Sequence, residues 1–158
     1  MVGPETRARK ALPLDDTLLK RARQFAEALP HSRALGMAVL SAGDGRAAMT
    51  MPYRADLVGD PASGVIFGGA VSALMDTCSG LAVFVHPEAA VSMATLDLRI
   101  DYMRAAEPGQ ALRAQAHCFH VTKNVAFVRA TAFDADPDRP VATSAGAFAL
   151  ERAGKAFA

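Results

Sequence analysis

This sequence of 158 residues contains few cysteines and few aromatic residues, and its positive and negative charges nearly balance. Its two cysteines, Cys78 and Cys118, lie forty residues apart in apolar surroundings, with no Cys-x-x-Cys pair. A disulfide framework is therefore not indicated, and free thiols in a reducing cytoplasm are the simplest interpretation. The 17 basic and 16 acidic residues give a net charge of +1, which offers no electrostatic reason to bind nucleic acid or an anionic membrane.

Long hydrophobic runs and several common functional motifs are also missing. The uncharged run after Asp76 has nine residues, 77–85, whereas a membrane span needs about 20. No basic segment followed by an apolar run begins the sequence, so no export is indicated and we expect a cytoplasmic protein. Phosphate-binding glycine loops, zinc-ligand spacings and a serine nucleophile elbow are absent, and we expect no metal and no cofactor.

The composition that remains is typical of one soluble domain, with 51% apolar and 21% charged residues. We predict a single domain over residues 14–151, with a flexible N-terminal tail at 1–13 and a C-terminal tail at 152–158. The basic residues Arg7, Arg9 and Lys10 fall in the first tail and are interpreted as solvated.

Periodicity and turn residues predict the order of the elements. Asp15 or Asp16 is a candidate N-cap of a helix that ends near Leu29, before Pro30. Two short strands are expected within 36–51, around the turn Gly43-Asp44-Gly45, and a loop over 53–64 leads to a long apolar helix at about 70–85. Four strands are then predicted, the second and third joined by a tight turn at Lys123-Asn124: 91–103, 111–122, 125–134 and 141–151.

Small side chains recur on one face of three of these strands. The alternating sets are Ala114, Ala116 and Cys118; Ala126, Val128, Ala130 and Ala132; and Val141, Thr143, Ala145, Ala147 and Ala149. Because the central helix is also rich in small residues, a sheet curling around it would pack closely. We therefore predict an α+β domain in which an antiparallel sheet wraps around one long helix, with a further helix at the N-terminus.

Asp76 stands alone in that apolar helix, and a buried carboxylate is costly unless it is paired or protonated. Gly64 and the pair Gly68-Gly69 mark a turn into the helix, whose first N–H groups would be free about two turns before the acid. This arrangement suggests hydrolytic chemistry. A structural Asp that accepts hydrogen bonds from a neighbouring loop is the alternative.

Two segments resemble the hotdog-fold acyl-CoA thioesterases of the PaaI-like, phenylacetate-pathway type. The first is 64–76, in which a Gly-Gly pair lies seven residues before the acid. The second is 94–106, which contains Tyr102-Met103-Arg104-Ala105. The resemblance covers about residues 32–151. It implies a hotdog fold, two protomers that join their sheets as a homodimer or a dimer of dimers, and thioester sites at the interface between them.

The resemblance also implies roles for individual residues. Asp76 would be the general base or nucleophile, and the N–H of Gly69, alone or with that of Gly68, would bind the carbonyl oxygen. Thr95 would help to place the attacking water; its alternation with Asp97 and Arg99 puts all three on the polar face of a strand. An ordinary strand residue is the alternative for Thr95.

Two positions depart from the family pattern. Phe67 replaces the usual His before Gly-Gly, so it would line the acyl pocket without exchanging a proton. Asp60 replaces the usual Asn before Pro61 and would add a negative charge if it pointed inward. Because coenzyme A is a polyanion, cationic and polar groups should surround its site, and the candidates are Lys123 and Asn124 as a group, then Arg104, Arg99 and Arg129.

The four histidines form no convincing dyad with Asp76. His117 and His120 are predicted to face opposite sides of one strand, and His31 and His86 fall in predicted loops. Their placement argues against the hotdog dehydratases, which pair a His with an acid. Two functions are consistent with the sequence: hydrolysis of a medium-chain or aromatic acyl-CoA, or a non-catalytic hotdog module that binds acyl-CoA or a structural partner, suggested by Phe67.

Overall fold

The computed structural model describes residues 16–88 and 92–151, which include every candidate site residue. The candidate N-cap Asp15, the predicted tails and the first residue of the strand predicted at 91–103 lie outside the described residues. Two helices open the described chain, α1 (Asp16–Ala28) and α2 (Pro30–Ala34). Pro30 ends the first helix as predicted, but it also starts the second, because its fixed φ suits the first turn of a helix.

A long antiparallel sheet and one buried helix follow. The remaining elements are β1 (Ala38–Gly43), β2 (Arg46–Met51), a 3₁₀ turn (Ala55–Leu57), β3 (Val58–Asp60), β4 (Val65–Ile66), α3 (Gly68–Phe84), β5 (Ser92–Tyr102), β6 (Leu112–Val121), β7 (Val125–Phe133) and β8 (Ala142–Glu151). The loop predicted over residues 53–64 thus contains a 3₁₀ turn and the first strand of a small hairpin. Every predicted long helix and strand is present to within a few residues.

The six long strands pair in the order β1-β2-β6-β7-β8-β5, and α3 packs on the inner face of this sheet. Ten residues of α3 are buried, and small inward residues of β6 and β7 pack around them. This is the hotdog architecture that the resemblance implies. At the C-terminal end of α3, Phe84 stacks on Phe25 of α1 with ring centroids 4.9 Å apart, which attaches the N-terminal helix to the domain.

The predicted inner face of β8 is wrong. Ala142, Ser144 and Phe148 are buried, whereas Ala145 is exposed and Ala147 is only partly covered. Small residues occupy both faces of this strand, so the size of the side chains does not reveal which face meets α3. The predicted small inner faces of β6 and β7 are confirmed by burial.

Three strands of the six-stranded sheet contain a β-bulge, and each of these bulges projects a large apolar side chain. The extra residues are Leu40 in β1, Leu96 in β5 and Phe119 in β6, which are 47%, 60% and 45% exposed. A bulge reverses the alternation of side chains beyond it. The bulges in β5 and β6 therefore change which face several candidate site residues occupy.

β5 forms one edge of the sheet, and within the described part of the chain only β8 lies beside it. Its 11 residues are largely exposed, in contrast to the inner strands. An exposed edge of this length presents a row of unpaired backbone groups that another strand can complete. Among the described residues, no helix has the length and apolar character to cross a membrane.

Candidate active site

The N-terminus of α3 presents two free backbone donors. The N–H groups of Ala70 and Val71 both donate to the carbonyl of Phe67, at 2.9 and 3.4 Å. The amides of Gly68 and Gly69 come before them and have no acceptor among the described residues. Unpaired amides at the positive end of a helix dipole stabilise a negatively charged oxygen. The structure therefore provides, at the predicted position, donors suited to an oxyanion.

Close packing explains why both of these positions are glycine. A Cβ atom on Gly69 would overlap the ring of Phe67, and one on Gly68 would lie 3.3 Å from the hydroxyl oxygen of Tyr102. Two aromatic rings thus lie against the backbone at the start of α3. Phe67 is 63% exposed, so its ring covers Gly69 while leaving one face open to solvent or to an apolar ligand.

Asp76 lies two turns into α3 and meets Thr95 of β5. The hydroxyl of Thr95 donates to Oδ1 of Asp76 at 2.9 Å. Asp76 is half-buried rather than enclosed, because it lies on the side of α3 that faces the edge strand β5. The carboxylate is therefore less buried than its apolar segment suggested, and its cost of desolvation is correspondingly smaller.

The predicted polar face of β5 is also wrong, because of the bulge at Leu96. Thr95 pairs with the inward-facing Phe148, but Asp97 pairs with Ala147 on the outer face. Thr95 therefore faces α3, whereas Asp97 and Arg99 face outward. Leu98, Ile100 and Tyr102 face inward. In a strand without the bulge, strict alternation from these residues would place Thr95 on the outer face, away from Asp76.

Two grooves flank the start of α3. The larger, about 580 Å³, is lined on one wall by Phe67, Gly69 and Ala70 and on the other by His31, Leu35 and the segment 56–59. The smaller, about 370 Å³, touches Gly68 and is bordered by Tyr102 and Met103. The prediction of a loop at His31 is wrong, because His31 lies on α2. Its imidazole lines the same groove as Phe67 and Gly69, which the sequence did not reveal.

Asp60 does not point into either groove. Its carboxylate accepts hydrogen bonds from the Ser63 hydroxyl and the Ala62 amide, and these contacts hold its pKa below the usual range. The side chain therefore shapes its own turn, and the predicted contact of Asp60 with substrate is not supported. Asp56 is the acidic residue that lines the larger groove, where it pairs with Arg54.

Arg104 is a structural residue and not a free ligand for phosphate. Its guanidinium donates to both carboxylate oxygens of Asp134, each at 2.7 Å, and to the carbonyls of Arg139 and Ala105. These contacts use all five donors. Because Arg104 neutralises and hydrogen-bonds Asp134, the pKa of that carboxyl lies well below its usual range. Arg104 lines the smaller groove, but none of its donors is free for coenzyme A.

The other cationic candidates lie on the outer face or at the end of the sheet. Arg99 donates to Asp101, and the Arg129 guanidinium lies 4.7 Å from the centre of the Phe119 ring. Lys123 and Asn124 form the predicted β6–β7 turn, with the Asn124 carbonyl accepting from the Leu150 amide. Strand register places this turn at the end of the sheet where β5 begins. Lys123 and Asn124 remain candidates for contact with coenzyme A.

The bulge at Phe119 corrects the prediction for two histidines. His117 pairs with Arg129 and His120 with Phe127, two positions on the same outer face of β7, so both imidazoles face outward together. No cluster of three or more His, Cys, Asp or Glu side chains suited to a metal ion occurs within residues 16–88 and 92–151.

Both cysteines are free and buried, as predicted. Burial raises the pKa of the Cys78 thiol to about 12 and that of Cys118 to about 11. A thiol must ionise to act as a nucleophile, so neither cysteine is suited to attack a substrate.

Comparison with known proteins agrees with this geometry. Residues 63–141 match the thioesterase superfamily. A protein of Halobacterium salinarum, whose name provisionally calls it an esterase, is 33% identical over 75% of this chain and 82% of its own length. A crystal structure from Pseudomonas aeruginosa is 42% identical, with a TM-score of 0.76, covering 84% of this chain and 98% of the other. A phenylacetic acid degradation protein, PaaI, from Thermus thermophilus is 27% identical, with a TM-score of 0.68 over 77% of this chain and 99% of the other.

Proposed function

The chain belongs to the thioesterase superfamily, and from that premise we propose that it hydrolyses an acyl-CoA thioester of a medium-chain or aromatic acid to the free acid and coenzyme A. The observation that carries the proposal is the Asp76 carboxylate, which is accessible and held by Thr95 on the helix whose first amides are free.

The proposed reaction needs a base and an oxyanion site. In the general-base route, Asp76 takes a proton from a water molecule while the oxygen of that water bonds to the thioester carbon. The amides of Gly69 and Gly68 stabilise the negative charge that develops on the carbonyl oxygen. The carbon–sulfur bond then breaks, and the thiolate of coenzyme A takes the proton back from Asp76. In the nucleophilic route, an oxygen of Asp76 forms the bond to the thioester carbon while the carbon–sulfur bond breaks, which gives a mixed anhydride and the thiolate of coenzyme A. Water then hydrolyses the anhydride, which releases the acid, regenerates the Asp76 carboxylate and supplies the proton that the thiolate takes up.

One protomer alone does not complete this site. Gly69 and Asp76 are seven residues apart in α3, which separates them by about 10 Å along the helix axis. During the reaction the thioester carbon lies about 3 Å from the attacking oxygen, and its carbonyl oxygen accepts from the amide. These distances are too short for one thioester to reach both Asp76 and Gly69 of the same helix. We therefore propose a homodimer, or a dimer of such dimers, in which Asp76 of one protomer acts with Gly69 of the second.

The exposed edge of β5 is suited to this association. Pairing two β5 strands about a twofold axis would continue the sheet across the interface and cover Leu96, which is 60% exposed. It would also bring together the two copies of the Thr95–Asp76 pair, since Thr95 lies on that strand. The oligomeric state and the catalytic site are thus linked in this proposal.

The grooves suggest how the substrate is held. The wall formed by Phe67, Leu57 and Ala70 is apolar and suits an aliphatic or aromatic acyl group. Lys123 and Asn124 are proposed to meet the polar coenzyme A portion. Phe67 occupies the position that is usually His, so it contributes apolar surface and no proton transfer.

Release of free thiol from a panel of acyl-CoA esters tests the proposal. The panel contains short, medium-chain, long and aromatic acyl groups at equal concentration, with the oligomeric state measured on the same sample. We expect the fastest turnover for medium-chain or aromatic esters and a sample that is at least dimeric. Absence of turnover on every ester by a folded, dimeric protein would reject hydrolysis as its function.

A further inference from the structure

Two side-chain hydroxyl groups converge at the carbonyl oxygen of Gly68. The phenol of Tyr102, on β5, donates to this oxygen at 2.6 Å. The hydroxyl of Ser72, one turn along α3, lies 3.1 Å from the same oxygen and 2.7 Å from the phenol oxygen. A phenol has one proton, and the shorter contact assigns it to Gly68. Ser72 then donates to the phenol oxygen, to the carbonyl, or to both.

The Gly68 carbonyl belongs to the same peptide unit as the Gly69 N–H. A peptide unit is planar and trans, so its C=O and N–H bonds point in opposite directions. Fixing the carbonyl oxygen therefore fixes the direction in which the Gly69 amide points. Hydrogen bonds in a chain also polarise one another, so a donor on the carbonyl oxygen makes the N–H at the other end a stronger donor.

We propose that Tyr102, supported by Ser72, is a positioning residue that orients and polarises the Gly68–Gly69 peptide, whose N–H is the oxyanion donor. This inference rests on the proposed function, because it assigns Gly69 the carbonyl oxygen of the substrate. Tyr102 does not touch the reacting atoms in this account. It acts through the peptide that does.

The packing around Tyr102 agrees with such a role. Its ring lies against Gly68, where a Cβ atom would approach the phenol oxygen to 3.3 Å, so the glycine permits the short hydrogen bond. The strand of Tyr102, β5, also carries Thr95, so one edge strand supports both the acid and the oxyanion donor.

The chain offers a matched control. Its only other tyrosine, Tyr53, donates from its phenol to the carbonyl of another glycine, Gly64, at 2.9 Å. Tyr102→Phe and Tyr53→Phe therefore remove the same oxygen and the same kind of hydrogen bond. Tyr53 has no part in the proposed mechanism.

The hydrogen bond is tested by NMR without any substrate. Gly68-Gly69 is the only Gly-Gly pair in the sequence. Protein labelled with glycine carrying ¹⁵N and a ¹³C carbonyl therefore gives a single HNCO peak, which reports the Gly68 carbonyl and the Gly69 amide together. We expect Tyr102→Phe to move the Gly68 carbonyl and Gly69 amide resonances upfield, because the carbonyl loses its hydrogen bond. Phenylalanine keeps the aromatic ring, so the ring-current contribution to these shifts stays the same. Tyr53→Phe should leave the peak in place.

Kinetics on the preferred ester test the consequence. Losing an oxyanion donor outright costs about a hundredfold or more in kcat, so weakening one through its carbonyl should cost about tenfold. We expect Tyr102→Phe to lower kcat by about that factor with KM within about twofold, and Ser72→Ala to have a smaller effect. Tyr53→Phe should retain both constants. The wild-type chain is the reference for all three variants.

The outcomes separate this inference from the proposed function. An HNCO peak that does not move in Tyr102→Phe overturns the inference, whether or not the protein is an enzyme. A peak that moves in an active enzyme whose kcat is unchanged also overturns it. If the wild-type chain hydrolyses no ester while the peak moves, the proposed function fails and Tyr102 still orients this peptide.

Discussion

The Thr95 hydroxyl donates to the Asp76 carboxylate at 2.9 Å, and a β-bulge one residue later makes this contact possible. The two residues are nineteen positions apart, on the central helix and on the edge strand of the sheet. Because the bulge at Leu96 reverses the alternation of β5, Thr95 faces the helix together with Leu98 and Ile100. The hydroxyl leaves the second carboxylate oxygen of Asp76 free to meet water or a substrate.

Removing the hydroxyl of Thr95 should impair catalysis more than folding. Thr95→Val keeps the shape of the side chain but leaves Asp76 without its donor. We expect kcat to fall by about ten- to a hundredfold, the range associated with one supporting polar group. Thr95→Ser restores the hydroxyl and should recover most of the activity. Equal loss in both variants would show that the hydroxyl has no role.

Gly146 of β8 lies opposite Leu98, just after the bulge in β5. Because there is no room for a side chain at this position, replacing Gly146 should displace the bulge and with it Thr95. A Cβ atom there would lie 2.9 Å from the Asp97 carbonyl oxygen and 2.8 Å from Cδ1 of Leu98. We expect Gly146→Ala to lower the free energy of unfolding by about 1–3 kcal/mol, as overpacking does, and to reduce kcat. Chemical denaturation and thiol-release assays measure the two effects.

Gly43→Ala is the matched control for that prediction, because a Cβ atom on Gly43 meets nothing within 4 Å and its φ is not positive. Such a substitution stabilises a protein by up to about 1 kcal/mol through the unfolded chain. Equal stabilities of the two variants would contradict the account of the bulge.

The Arg104–Asp134 ion pair should matter for stability and not for binding coenzyme A. Asp134→Ala leaves Arg104 and the amides of Glu107 and Ala135 without their acceptor. We expect a loss of about 2 kcal/mol, less than for a fully buried pair, because the Arg104 side chain is 21% exposed. Asp101→Ala, which breaks the exposed pair with Arg99, should cost no more than about 0.5 kcal/mol. A raised KM in Asp134→Ala without a loss of stability would contradict this assignment.

That stabilisation should depend on pH. The Arg104 contacts lower the pKa of Asp134 in the folded state below its ordinary value of 3.8. Its contribution is therefore complete above about pH 4 and is lost as the pH falls toward the folded-state pKa. Denaturation of the wild type and Asp134→Ala at pH 7, 5 and 3 should show a constant difference at the two higher values and a smaller one at pH 3. A difference that grew on acidification would have the wrong sign.

The native protein should show almost no reactive thiol. Burial raises the pKa of both cysteines to about 11–12, so the thiolate is scarce at pH 8. A disulfide reagent should detect two thiols per chain in denaturant and close to none without it. Rapid labelling of the native protein would show that Cys78 or Cys118 is accessible. The same result matters for thiol-release assays, since buried cysteines do not add to the signal.

The sequence predicted the fold because the fold depends on patterns that extend over many residues. The small residues of α3, the inward faces of β6 and β7 and the turns at Asp44-Gly45 and Lys123-Asn124 each follow from residue type. Bulges do not, since one extra residue in a strand leaves no distinct mark in the alternation of apolar and polar residues. Two of the three errors of facing, for Asp97 with Arg99 and for His117 with His120, come from the bulges at Leu96 and Phe119. The third, on β8, arises because small residues occupy both faces of that strand.

The site was predictable where it depends on one short segment. Phe67 directly precedes α3, and Gly68, Gly69 and Asp76 lie on that helix as expected. Residues that act through tertiary contacts were not predictable in the same way. The guanidinium of Arg104 is occupied by Asp134, thirty residues away, and the sequence contains no sign that the two meet. Tyr102 likewise gains its role only because β5 ends beside the start of α3.

Turnover of the preferred acyl-CoA ester by Asp76→Asn, measured beside Asp97→Asn, tests the central claim most directly. Asp97 is an exposed carboxylate on the outer face of the same strand as Thr95, so its substitution removes the same charge without touching the site. We predict that Asp76→Asn loses at least about a thousandfold in kcat, since it removes the base while the fold persists, and that Asp97→Asn retains full activity. An Asp76→Asn protein that still turns over at the wild-type rate would contradict the account. Inactivity of the wild type, with acyl-CoA still bound, would instead identify a non-catalytic binding module.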